Sequence, residues 1–159
     1  MKSLDQWFAE YGESHQNATN KMIHWICVPV IFFCVIALFS SIPSEGLKGL
    51  FPPSLSPFIH WGTVVLILGW IFYLRLSFTM FLGIALFSIL CLFGVTLLRS
   101  LPLPVWQSSL FLFILAWIGQ FIGHKIEGKK PSFLKDLQFL LIGPAWLMGF
   151  LFRKLGIRY

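Results

Sequence analysis

Leu76-Ser-Phe-Thr-Met-Phe-Leu-Gly-Ile-Ala-Leu-Phe-Ser-Ile-Leu-Cys-Leu-Phe-Gly-Val-Thr-Leu-Leu98 runs for 23 residues without one Asp, Glu, Lys or Arg. As a helix it would extend ~34 Å, enough to cross a hydrocarbon core of about 30 Å. Working outward, Met22–Ser44, Gly49–Leu74 and Ser100–His124 are equally free of charge and long enough to span. Pro43, Pro52, Pro53 and Pro57 mark residues 42–59 as a loop, so the second helix should begin near His60. Arg75 is the sole charge between spans two and three, and Leu101-Pro-Leu-Pro104 marks the turn into span four. Leu137–Phe152 adds 16 uncharged residues broken by Gly143-Pro144, short for a straight crossing. It suits a re-entrant or interfacial segment better than a fifth span.

Composition agrees with this reading. Of 159 residues, 57% are hydrophobic and 11% charged, too little polar surface to cover a soluble core. The expected fold class is all-α, an integral membrane bundle of four to five transmembrane helices behind an N-terminal interfacial amphipathic helix. It forms one domain, 1–159: residues 1–21 as interfacial helix and polar loop, 22–124 as four spans, 125–136 as a cytoplasmic loop, and 137–152 as the re-entrant or fifth span. The first twenty residues are polar and amphipathic, unlike a cleavable signal peptide. Cys27, Cys34 and Cys91 lie in apolar runs and read as packing residues.

The net charge of +6 could suggest nucleic acid, but the basic residues sit between apolar spans, where they set topology and meet anionic lipid. Four crossings put Lys2, Lys21, Arg75, Lys125, Lys129, Lys130 and Lys135 on one side and Lys48 and Arg99 on the other. That asymmetry predicts a cytoplasmic N-terminus. Residues 1–24 and 120–136 then share one membrane face.

Two polar blocks meet at that face. Leu4, Trp7, Phe8 and Tyr11 form the apolar stripe of a surface helix, with Ser3 and Gln6 as its capping box. His15-Gln-Asn-Ala-Thr-Asn20-Lys-Met-Ile-His24 follows. On one continuous helix His15 and His24 would face opposite ways, so a break between Gly12 and Asn20 is required for them to converge. Asn20 shares a face with His24 and is a candidate cap of the first span. The second block, Gln120-Phe-Ile-Gly-His124-Lys-Ile-Glu127, places Gln120, His124 and Glu127 within an arc of about 60°. An ionisable group at the end of an apolar helix must be solvated, paired or metal-bound. Three histidines and one carboxylate suit a first-row divalent metal, Fe(II) or Zn(II), with His15, His24, His124 and Glu127 as candidate ligands. The competing reading is that these are interfacial residues satisfied by water or lipid, with Glu127 paired to Lys125 or Lys130. His60 begins span two on the opposite side and reads as an interfacial His-Trp pair with Trp61. Asn17-Ala-Thr19 matches a glycosylation sequon that a cytoplasmic face would leave unused.

Tyr11…His15-x4-Asn20-x3-His24-x4-Pro29, together with Trp117-Ile-Gly-Gln120-Phe-Ile-Gly-His124-x2-Glu127-x3-Pro131 and Gly143-Pro144, resembles the DUF962 family, also called the Mpo1-like or 2-hydroxy fatty acid dioxygenase family. The resemblance covers about Tyr11 to Gly156, and its specific part is the two polar blocks. It implies a multi-span membrane enzyme of fatty acid alpha-oxidation that uses Fe(2+) and O2 to shorten a long-chain 2-hydroxy fatty acid by one carbon. Ligand roles would fall on His15, His24 and His124, with Glu127, Asn20 and Gln120 as further motif positions. Lys21 and Lys125, beside the candidate ligands, could steer a substrate carboxylate. The partners implied are the 2-hydroxy acid, O2 and membrane lipid, in an inner membrane if bacterial or the endoplasmic reticulum if eukaryotic, with the site cytoplasmic. Two other classes compete. A small transporter or channel would carry polar groups through the bilayer, where the spans offer little beyond Ser88, Thr96, Ser108 and Ser109. A lipid-organising scaffold would require no metal.

Overall fold

The computed structural model describes residues 2–128 and 139–159, and those residues are helical with no strand among them. The helices are α1 (Leu4–Gly12), α2 (Ala18–Ser40), α3 (Glu45–Lys48), α4 (Trp61–Leu76), α5 (Phe78–Arg99), α6 (Val105–Glu127) and α7 (Ile142–Lys154), with a 3-10 turn over Pro53–Phe58. Three of them, α2, α5 and α6, are long and apolar enough to cross a membrane, and α4 is a shorter apolar helix of 16 residues.

Local chemistry explains the boundaries. Ser3 and Gln6 form the capping box of α1. Asn17, rather than the expected Asn20, caps α2: its side chain accepts from the N–H groups of Thr19 and Asn20. The helix therefore starts at Ala18, ahead of the charge-free run, and Asn20 lies inside it. Lys21 is tolerated in that first turn because a long basic side chain can reach the membrane surface. The α4 and α5 helices meet at Ser77, whose backbone is extended and whose hydroxyl accepts from Met80 N–H, so Arg75 marks the boundary and Ser77 makes it. Pro104 precedes α6, and Gly128 ends it at φ +73°, a left-handed conformation that favours glycine.

The four long helices run alternately up and down, and α2 packs against each of the others. Its closest partner is α6, held antiparallel at short range by two glycines one turn apart. A Cβ on Gly119 would lie 2.6 Å from Cys27 Sγ, and one on Gly123 would collide with Asn20 Oδ1. Small residues at i and i+4 let membrane helices approach this closely. At the other end of α2, Gly62 on α4 passes directly beneath the Ile36 carbonyl.

α1 and α7 cover one end of the bundle. Gly149 of α7 meets Phe8, Gly143 meets Tyr11 and Val28, and Gly83 of α5 receives Phe152 and Met148. At 13 residues α7 reaches only ~20 Å, too short to cross alone, and it is mostly buried against α1, α2 and α5. It covers that end of the bundle, and residues 137 and 138 of the expected re-entrant or fifth span lie outside those described. The expected loop over 125–136 falls mainly on residues outside those described.

Candidate metal centre

Three elements deliver the histidines. His24 stands on the second turn of α2, His124 on the last turn of α6, and His15 in the short connection between α1 and α2. That connection is the break that the opposed positions of His15 and His24 required. All three are buried, at 3%, 1% and 6% exposure for His15, His24 and His124. Their ring centroids are 4.3 Å apart for His15 and His24, 5.5 Å for His15 and His124, and 5.1 Å for His24 and His124. One ring nitrogen from each can be chosen so that all three lie within 4.8 Å of one another, close enough to share one ion.

Hydrogen bonding assigns the tautomers of two of them. His15 Nδ1 lies 2.6 Å from the Tyr11 carbonyl and His24 Nδ1 lies 2.9 Å from the Asn20 carbonyl. A carbonyl only accepts, so both Nδ1 atoms carry hydrogen and both Nε2 atoms present lone pairs. Neither Nε2 finds a hydrogen-bond partner among the described residues, although both are buried. Gln120 lies against His24, near enough to interact without completing a hydrogen bond. Burial pushes the His15 pKa down from 6.5 to about 4, against the backbone bond from Tyr11, so the ring is neutral at pH 7. Buried neutral imidazoles with idle Nε2 atoms and donors anchored to backbone carbonyls are the arrangement that metal-ligating histidines adopt. The residues present therefore fit a divalent cation.

Tyr11 stacks on His15 with rings 4.1 Å apart and 9° from parallel, and Trp146 of α7 lies 5.4 Å from the same imidazole. These contacts hold His15, the one histidine of the cluster not carried on a helix. A cavity opens beside the cluster, lined by Tyr11, Gln120 and the three histidines together with the apolar Val28, Ile31 and Leu140.

Glu127 takes a different place from the one expected. Its carboxylate lies outside the histidine cluster and is occupied by Gln16 N–H at 2.7 Å, Asn17 N–H at 2.9 Å and Asn20 Nδ2 at 2.9 Å. Asn20 also donates to the Ser14 carbonyl at 3.0 Å. The carboxylate is not paired with Lys125 either; two free N–H groups at the start of α2 and a buried amide are better partners than an exposed ammonium. Glu127 thus fastens the chain on both sides of His15 to the end of α6. Lys21 lies within electrostatic reach of His15, and Lys125 is exposed beside His124. His60 lies at the far end of α2, beside Gly62 and the last turns of α2 and α5, and takes no part in the cluster.

Sequence reasoning missed the role of Gly119 and Gly123. The signal was present as Gly-x3-Gly on the same stretch of α6 as His124, but its meaning depended on knowing that α2 packs there. Trp146 carried no sequence signal that pointed to His15.

A helical membrane bundle with three imidazoles converging in a buried, partly polar cavity at one end is a membrane protein built around a histidine cluster. Residues 1–155 match the family described as 2-hydroxy-palmitic acid dioxygenase Mpo1-like, and the chain belongs to that family. It is similar to the 2-hydroxy-palmitic acid dioxygenase MPO1 of Saccharomyces cerevisiae, 29% identical over 148 residues that cover 92% of this chain and 78% of the relative. No solved structure matches it.

Proposed function

We propose that this protein is an iron(II)-dependent dioxygenase that removes one carbon from long-chain 2-hydroxy fatty acids, a reaction of fatty acid alpha-oxidation. The observation that carries the reading is the convergence of three buried imidazoles, two of them with Nδ1–H fixed on a backbone carbonyl and Nε2 idle. Membership of a family named for such an activity, and a relative bearing that name, support the substrate class. His15, His24 and His124 would hold the iron, which when bound supplies the redox chemistry toward O2.

The remaining work falls to the chain. Three neutral histidines leave the +2 of the ion uncompensated, so the site favours a substrate bearing a carboxylate and a neighbouring hydroxyl. Lys21 and Lys125 add positive charge at the rim and would attract that anion. The Gln120 amide, which lines the cavity with the histidines, would hydrogen-bond the substrate head group. Val28, Ile31 and Leu140 offer the alkyl chain an apolar wall and exclude water from beside the cluster. The overall balance is closed: a 2-hydroxy acid and one O2 give the acid one carbon shorter, CO2 and water. Lys2, Lys21, Arg75 and Lys125 lie at the end of the bundle that holds the cluster, with Lys48 and Arg99 at the other end, which supports a cytoplasmic site.

The test is metal content and O2 uptake of detergent-purified protein with 2-hydroxypalmitate, following release of the 15-carbon acid. About one iron per chain and product formation, both lost on chelation, are expected. Iron-free protein that still turns over, or loaded protein that never does, would overturn the reading.

A further inference from the structure

The histidine cavity has a neighbour. A second cavity lies between α2, α4 and α5, walled by Phe32, Ile36, Leu66, Trp70 and Ile84, and it is almost wholly apolar. Leu140 lines both cavities. The wall contributed by α2 is also shared, because His24, Val28 and Ile31 face the first cavity and Phe32, Val35 and Ile36 the second. These six positions fall on one side of the helix, and from His24 to Val35 they descend ~16 Å into the bundle. An extended alkyl chain, with C–C bonds near 1.5 Å, would span that depth with about a dozen carbons.

The apolar wall decides what this pocket can hold. Water is excluded as a filler, since an ordered water needs two or more polar partners and this wall supplies almost none. We infer that the two cavities are one binding site, in which the tail of a long-chain 2-hydroxy acyl substrate passes Leu140 and ends between α2, α4 and α5. Gly69 and Leu140 set the chain length admitted. A Cβ on Gly69 would meet Leu141 Cδ2 at 3.8 Å, an ordinary contact, so a side chain can be added there and would grow into the space meant for the tail. Leu140 stands at the junction as a partition. The inference rests on the dioxygenase reading for the head group only; the tail site is a property of the apolar walls.

The experiment is photolabelling of the full-length protein in detergent with 2-hydroxyhexadecanoic acid carrying a diazirine at its terminal carbon, mapped by peptide mass spectrometry. Label is expected on α2 and α4 around Phe32, Leu66 and Trp70, displaced by excess 2-hydroxyhexadecanoate. It should fall tenfold or more in Gly69→Leu. The same variant should weaken binding of the 16-carbon acid at least tenfold while leaving an 8-carbon 2-hydroxy acid unchanged, which separates a filled tail site from a misfolded protein. Leu140→Ala should shift preference toward longer chains. Label confined to lipid-facing positions such as Leu86 and Ile118, label displaced by phospholipid but not by the hydroxy acid, or equal loss for both chain lengths in Gly69→Leu would overturn the inference. Cavity labelling in a protein that turns over no 2-hydroxy acid would instead sink the dioxygenase reading and leave the tail site standing. Turnover of long chains without cavity labelling would do the reverse.

Discussion

Two ends of α2 each bury histidine, and the two ends use it in opposite ways. At the start of the helix, His15 and His24 donate from Nδ1 to backbone carbonyls and leave Nε2 as a lone pair beside a third imidazole. At the far end, His60 is equally buried, but its Nδ1 accepts from Thr63 N–H at 3.2 Å as the N-cap of α4. Accepting at Nδ1 places the hydrogen on Nε2, which turns that atom into a donor. Burial alone therefore says nothing about ligation; the nitrogen committed to the backbone decides whether a ring can offer its other nitrogen to a cation.

The largest effect expected from this contrast is at the cluster. His24→Ala or His124→Ala should lower bound metal in the purified protein at least 100-fold and abolish turnover, whereas His60→Asn should retain full metal content. Equal metal loss in all three variants would erase the distinction between the two ends.

A smaller but still large effect is expected one layer out. Removing the carboxylate with Glu127→Ala frees Gln16, Asn17 and Asn20 from the end of α6 and loosens His15. Metal affinity should fall 10- to 100-fold, the usual consequence of losing an orienting partner, without complete loss of binding. A titration showing the same total loss as His24→Ala would instead make Glu127 a ligand.

The close approach of α2 and α6 can be challenged directly. Gly123→Ala drives a methyl into Asn20 Oδ1 and against the His24 ring, and should cost about 1–3 kcal/mol in detergent unfolding, together with some metal affinity. Gly46→Ala, where the added methyl meets open space, should leave both unchanged.

The smallest effect belongs to His60. Burial, with Arg99 and Lys48 adding to it, holds its pKa at about 4 against 6.5 in the unfolded chain. Both states are neutral above pH 6.5. Below it the unfolded chain takes up a proton that the folded chain refuses until about pH 4, so stability falls as pH drops through that window. His60→Asn keeps a capping oxygen and removes the titration. Between pH 7 and 5 the wild type should lose up to about 2 kcal/mol more than the variant in thermal unfolding. Parallel curves would place the pH dependence elsewhere.

Much of this architecture is legible in residue order. Four charge-free runs, prolines in the connections and the capping box at Ser3 follow from helix period and local hydrogen bonding, and each appears close to its expected place. The polar blocks were also legible, since helical spacing puts Gln120, His124 and Glu127 on one face. Local rules failed where the partner came from elsewhere in the chain. Asn17 and Asn20 are both good caps by type, and their choice depends on Glu127, more than a hundred positions away, which binds Asn17 N–H and the Asn20 amide together.

Residue order alone determined that this chain is a helical membrane bundle with its two polar blocks gathered at one end, because hydropathy and helical period act over short stretches. Tertiary structure alone decided that His15, His24 and His124 share a cavity while Glu127 stands outside it. Those outcomes depend on how closely α6 can approach α2 and on which backbone groups each side chain then meets, distances that no periodicity encodes.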